Sequence, residues 1–139
     1  MARPSKLDVD RQARIVDYLK RGVTQDAAAH ACGISARTLF AWKARGQAAL
    51  DALNLAEGDE ADDTEVPDEE RPFVQFLRAV DTARSEAEAL FTLIITQAAR
   101  TDPKWAAWWL DRAHPERWAQ RQQVSVQQEG EVRIVFEDL

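Results

Sequence analysis

Four polar side chains within nine residues could bind nucleic acid through charge and hydrogen bonds. They are Arg37, Thr38, Lys43 and Arg45. Guanidinium and ammonium groups pair with phosphate oxygens and guanine edges, and a hydroxyl bonds either a phosphate or a base. Ser35 precedes them and can cap a helix or face the same ligand. This mix is typical of a helix that enters the major groove, with Arg37 and Lys43 as the best candidates for contact.

The segment that holds these side chains, residues 22–45, has the pattern of two short helices joined by a tight turn. Thr24 and Ser35 can cap the two helices. Gly33 supplies a permissive backbone for the turn, and Ile34 is an apolar plug beside it. The pattern therefore predicts a helix-turn-helix.

A further helix is predicted at about residues 8–21, with an apolar stripe that would support the pair: Leu7, Ile15, Val16 and Leu19. Trp42 fits inward packing against it as well as exposure. Residues 1–50 hold nine Lys and Arg against four Asp, a net charge of +5 that suits phosphate. Secondary phosphate candidates are Arg3, Lys6, Arg11 and Lys20. The alternative is a three-helix packing unit without a ligand.

Residues 51–71 read as an acidic flexible linker. Residues 51–70 carry ten acids and no base, so this block accounts for the whole-chain charge of −6. With few apolar residues it is not expected to offset the entropy of ordering. A divalent-metal site lacks the necessary ligand spacing. An electrostatic role, in which the block competes weakly with DNA, is the other interpretation.

Residues 72–123 read as a helical hairpin. Apolar residues recur every three or four positions for about 28 residues, and Asp102 and Pro103 then start a second helix that Pro115 bends or restarts. So long a stripe needs a partner in its own chain or in a neighbouring copy. The predicted interface between copies comprises Phe76, Leu77, Val80, Leu90, Ile94, Trp105, Trp108 and Trp109. The alternative for these side chains is a hairpin core.

Residues 124–139 contain two short β-prone runs, 124–126 and 132–136, which could pair with other copies or with a partner. The predicted fold is thus mainly α. It comprises a helix-turn-helix domain (1–50), the acidic linker (51–71), a hairpin for oligomerisation (72–123) and a short β-prone tail (124–139).

The sequence offers no apparatus for catalysis. Its five glycines form no phosphate-binding P-loop, and Cys32 is the only cysteine. His30 and His114 lack ligand partners at metal-site spacing. We therefore expect no enzyme activity, catalytic residue, metal or cofactor. No long apolar run or signal-peptide core is present, so we expect no membrane partner and a cytoplasmic location.

Residues 109–118, WLDRAHPERW, are similar to the W-L-E-R-R-x-P-E-R-W stretch of many small terminase subunits of tailed bacteriophages. With the predicted helix-turn-helix, linker, hairpin and tail, the resemblance covers most of the chain. The chain departs from the family pattern in its very acidic linker and its short tail.

This resemblance implies a ring of roughly eight to eleven copies that binds a packaging site on double-stranded viral DNA in the infected bacterial host. The ring would deliver the DNA to the large terminase subunit, which cuts and translocates it with ATP. Hairpins would form the collar, helix-turn-helix domains would lie outside it, and the tail would contact the motor. Two other interpretations stay open: a dimeric helix-turn-helix transcription regulator, and a helical adaptor that does not bind DNA.

Overall fold

The computed structural model describes residues 7–53, 55 and 58–119. This part of the chain contains six α-helices, one short 3-10 turn and no strand, so the protein is mainly α. The chain divides into two compact units, residues 1–91 (unit 1) and residues 92–139 (unit 2). The elements are α1 (Val9–Lys20), α2 (Gln25–Ala31), α3 (Ala36–Asp51), the 3-10 turn (Asp63–Glu65), α4 (Arg71–Ala99), α5 (Pro103–Ala113) and α6 (Pro115–Trp118).

Side-chain caps define where the first three helices begin. Asp8 accepts a hydrogen bond from the Arg11 amide at the start of α1. Thr24 caps α2 and Ser35 caps α3, as the sequence predicts. Gly33, between α2 and α3, has a φ of +78°, which a residue with a side chain rarely adopts. These local signals fix the α2–turn–α3 path.

The core of unit 1 is shared by α1, α2, α3 and the first half of α4. Trp42 is buried and meets the Phe76 ring edge-on, with the ring centroids 5.5 Å apart. The tryptophan therefore packs inward, one of the two positions compatible with the sequence. The remaining fully buried large residues of this core are Ile15, Leu19, Leu39 and Val80.

Three residues predicted at an interface between copies are instead buried in unit 1, and two of them, Phe76 and Val80, belong to this core. Phe76 and Val80 are 0% exposed and Leu77 is 7% exposed, all within unit 1. That part of the interface prediction was wrong. The physical reason is that α1–α3 are too small to bury their own apolar faces, so the start of α4 covers them. Helical periodicity identifies the buried face of α4 but not what covers it.

The acidic segment also differs from the sequence-based expectation of an unpacked linker. Val66 is buried against Ala49 and Val74. Arg71 donates to the backbone carbonyls of Asp63 and Val66, and Arg78, also in α4, donates to the Ala61 carbonyl. These contacts hold the segment against α3 and α4, and an Asp62 capping box closes the 3-10 turn within it. Charge composition does not reveal that α4 carries the arginines that bind this backbone.

In unit 2, α5 begins at the predicted Asp102 cap with Pro103 in its first turn. Pro115 starts α6, which agrees with the expected restart. None of the residues in these two helices is buried within unit 2 as described. The largest apolar side chains exposed in this unit, each between 36% and 59%, are Leu93, Ile94, Trp105, Trp108 and Trp118. The predicted β-prone tail and residues 120–123 lie outside the described part of the chain.

Candidate functional site

The exposed face of α3 is the surface on which the candidate nucleic-acid contacts can be judged. Leu39, Trp42, Gly46 and Ala49 are buried on the opposite side of this helix. Residues three or four positions apart share a helix face. The exposed side, named here the α3 face, comprises Arg37, Phe40, Ala41, Ala44, Gln47 and Ala48.

Arg37 lies on the first turn of α3 and is exposed. Its guanidinium forms no hydrogen bond or ion pair with other residues of the described ranges. Among the three cations of α3, Arg37 is the one that faces solvent with no intramolecular partner in the described ranges.

Ser35 and Thr38 lie beside Arg37 at the start of α3. The Ser35 hydroxyl accepts from the Thr38 amide at 3.1 Å, and the two hydroxyl oxygens are 3.0 Å apart. Their first task is therefore to cap the helix. Each oxygen keeps capacity for one more hydrogen bond, since a hydroxyl both donates and accepts.

Lys43, one of the two best candidates for DNA contact from the sequence, is engaged by neighbouring helices. Its Nζ donates to Gln25 Oε1 at 2.9 Å and lies 3.9 Å from an Asp81 carboxylate oxygen. The side chain is only 16% exposed. Lys43 thus ties α3 to α2 and α4, and in this arrangement its charge is not displayed on the α3 face.

Arg45 is bound to the acidic segment. Its Nε and Nη2 donate to the two carboxylate oxygens of Glu70 at 2.8 and 2.9 Å, and the guanidinium lies 4.1 Å from the centre of the Phe73 ring. The hydrogen bond from Arg45 lowers the pKa of Glu70, and the same bond raises the pKa of Arg45. The charge of Arg45 is therefore already matched within unit 1.

Two arginines of α1 hold the C-terminal end of α2. Arg11 Nε donates to the Cys32 carbonyl at 3.0 Å, and Arg14 donates to the Ala31 carbonyl at 3.1 Å. Cations are favourable at this end of a helix because its carbonyls are unpaired there. Arg11, a predicted phosphate contact, thus has a structural role in fixing the turn.

The remaining predicted phosphate contacts are Lys20, Arg3 and Lys6. Lys20 is exposed and lies 3.7 Å from a Glu86 carboxylate oxygen. Arg3 and Lys6 lie outside the described residues.

Phe40 is the α3-face residue that the sequence-based reasoning missed. Its side chain is 45% exposed, although phenylalanine is a large apolar residue. The helical spacing indicates that Phe40 is exposed. The buried residues of α3 are Leu39, Trp42, Gly46 and Ala49, three or four positions apart, and Phe40 does not belong to this series.

Some predicted contacts between copies remain available on the surface. Leu90 in unit 1 is 47% exposed. In unit 2, Ile94, Trp105 and Trp108 are exposed and Trp109 is half-buried. The Arg112 guanidinium covers part of this surface, 4.1 Å from the centre of the Trp108 ring.

Within the described ranges, no group of three or more His, Cys, Asp or Glu side chains could hold a metal ion. No helix in those ranges combines the length and the apolar character needed to cross a membrane. Comparison of the chain with protein-family models, curated proteins and solved structures yields no match.

Proposed function

We propose that this protein is the non-catalytic DNA-recognition subunit of a viral genome-packaging terminase. In this proposal α2, the turn and α3 form a helix-turn-helix, and α3 enters the major groove. Several copies assemble into a ring that binds the packaging site and delivers DNA to a large ATPase and nuclease subunit.

The observation that carries the proposal is the composition of the α3 face. Arg37 stands at its start without an intramolecular partner in the described ranges, and Ala41, Ala44 and Ala48 follow along the helix. The major groove is about 12 Å wide and admits an α-helix. The three alanines keep the middle of this face slim, so the backbone there can lie close to the base edges while Arg37 reaches a phosphate or a guanine.

The rear of α3 supports this role because it is fixed. Trp42 and Leu39 pack into the core of unit 1, Lys43 binds α2 and α4, and Arg45 binds the acidic segment. A recognition helix that is already held in place loses little freedom on binding, which favours affinity. On this account Lys43 and Arg45 orient α3, and Arg37 with the nearby hydroxyls contacts DNA.

Assembly into a ring is supported by the apolar side chains that the chain leaves exposed. Ile94, Trp105 and Trp108 are large, and Trp is favoured at protein interfaces. A head-to-tail contact between identical copies closes into a ring when its rotation allows. Many weakly binding helix-turn-helix domains on one ring would hold DNA more firmly than a single domain.

The experiment is a titration of full-length protein with duplex DNA at several salt concentrations, comparing the natural protein with Arg37→Ala. We expect Arg37→Ala to weaken binding by about 1–3 kcal/mol and to reduce the salt slope by about one. The matched control is Arg100→Ala, which removes the same charge from an exposed position in unit 2.

We expect Arg100→Ala to bind as the natural protein does. Equal affinity of all three proteins for DNA, or equal losses from the two variants, would remove Arg37 from the interface. Absence of salt-sensitive DNA binding by the natural protein would contradict the proposed function itself.

A further inference from the structure

We propose that Phe40 is a specificity-determining residue that contacts the C5-methyl group of thymine in the bound DNA. This inference rests on the proposed function, because it assumes that α3 enters the major groove. It adds a sequence preference to a surface whose other named contact, Arg37, is a cation.

The position of Phe40 on α3 supports this contact. It lies three residues after Arg37 on the same exposed face, about one helical turn further along. The neighbouring α3-face residues, Ala41 and Ala44, are too short to keep a base away from the ring. Phe40 is therefore the longest apolar side chain of the α3 face, and it lies next to the cation that would anchor the helix.

The Phe40 ring also has a fixed neighbour. The Lys43 ammonium lies 5.8 Å from the centre of the Phe40 ring, within the range of a cation–π attraction. Lys43 is itself held by Gln25 of α2 and is only 16% exposed. A ring supported in this way gives up less rotational freedom when a ligand covers it.

The chemistry of the base edges favours thymine beside this ring. In the major groove thymine presents a methyl group, whereas cytosine presents an amino group that needs a hydrogen-bond partner. A phenylalanine ring offers an amino group only a weak N–H···π contact in place of a conventional hydrogen bond, so it gains from the methyl group and satisfies the amino group poorly. The ring therefore favours thymine at the position it covers.

The test begins with duplexes selected by the full-length natural protein from a random library. The selected duplex is then synthesised with deoxyuridine in place of each thymidine in turn, which removes one methyl group and keeps base pairing. We expect one or two substitutions to weaken binding by about fourfold each, the affinity equivalent of losing one buried methyl group.

Phe40→Ala should bind the thymidine and deoxyuridine duplexes equally, whereas Phe40→Leu should keep part of the difference. Arg37→Ala should bind both more weakly and keep their ratio. A Phe40→Ala protein that retains the natural ratio would overturn the inference, as would a selected site without a preferred thymine. Binding of all duplexes with no sensitivity to methyl groups would overturn it while leaving the proposed function standing. No DNA binding by the natural protein would overturn both.

Discussion

At the scale of residues, the pair between Arg45 and Glu70 links α3 to the acidic segment. The bidentate hydrogen bonds lower the pKa of Glu70. A carboxylate whose folded-state pKa is depressed contributes stability above its unfolded pKa, about 4.3 for Glu. That contribution is lost as the pH falls through the lower, folded-state value.

We therefore expect Glu70→Gln to lower the free energy of unfolding at pH 7, and the gap from the natural protein to close below about pH 4. Denaturant titrations at a series of pH values measure this gap. Glu60→Gln is the matched control, because Glu60 is exposed and forms no hydrogen bond or ion pair with the residues that the structure describes. A Glu70→Gln gap that stayed constant down to pH 3 would show that the effect is not electrostatic.

The same residues show how far side-chain roles could be predicted. The caps Thr24 and Ser35 were predictable because each acts on residues three positions away. The partners of Lys43 and Arg45 were not, since Glu70 lies 25 positions from Arg45 and Asp81 lies on another helix. A sequence does not distinguish an exposed cation from a paired one. Only the structure shows that Arg37 is exposed whereas Lys43 is paired with Gln25 and Asp81.

At the scale of elements, α3 lies close against the first turn of α4 at Gly46. A Cβ added there would overlap the Phe73 carbonyl oxygen and lie 2.8 Å from its carbon. This contact involves backbone, which cannot swing aside as a flexible side chain would. Glycine at this position therefore sets the spacing of the two helices that frame the acidic segment.

Gly46→Ala gives a sharp prediction because two effects oppose each other. Helix propensity alone would stabilise the variant by about 1 kcal/mol. Overpacking against the Phe73 backbone should cost more than this, up to about 3 kcal/mol. After the propensity gain is subtracted, we expect a net loss of about 1–2 kcal/mol in the free energy of unfolding. The control is Ala44→Gly on the exposed side of α3, which should cost only the propensity difference. A Gly46→Ala protein more stable than the natural one would contradict the close crossing.

The elements themselves were largely predictable, whereas their partners were not. Periodicity and capping residues located the start of α2, α3 and α5 and the length of α4. The first half of α4 was expected in a separate hairpin, yet Phe76 and Val80 complete the core of unit 1. Segment 61–70 was expected to be unpacked, yet Val66 and the arginines of α4 hold it. Both differences arise from contacts between distant parts of the chain.

At the scale of the whole molecule, charge and exposed apolar surface point to two kinds of partner. Arg37 presents a cation on the α3 face, and unit 2 presents Trp105, Trp108 and Ile94. Tryptophan is enriched at protein interfaces relative to the rest of a protein surface. The proposed ring assigns the first surface to DNA and the second to neighbouring copies.

The most direct measurement of this account is native mass spectrometry of the full-length protein, alone and mixed with duplex DNA selected by the protein. We expect one uniform assembly of roughly eight to eleven chains, and the same assembly with DNA bound after mixing. A dimer that binds DNA would contradict the ring and favour a transcription regulator. An assembly of any size that never takes up DNA would contradict the central claim and favour an adaptor.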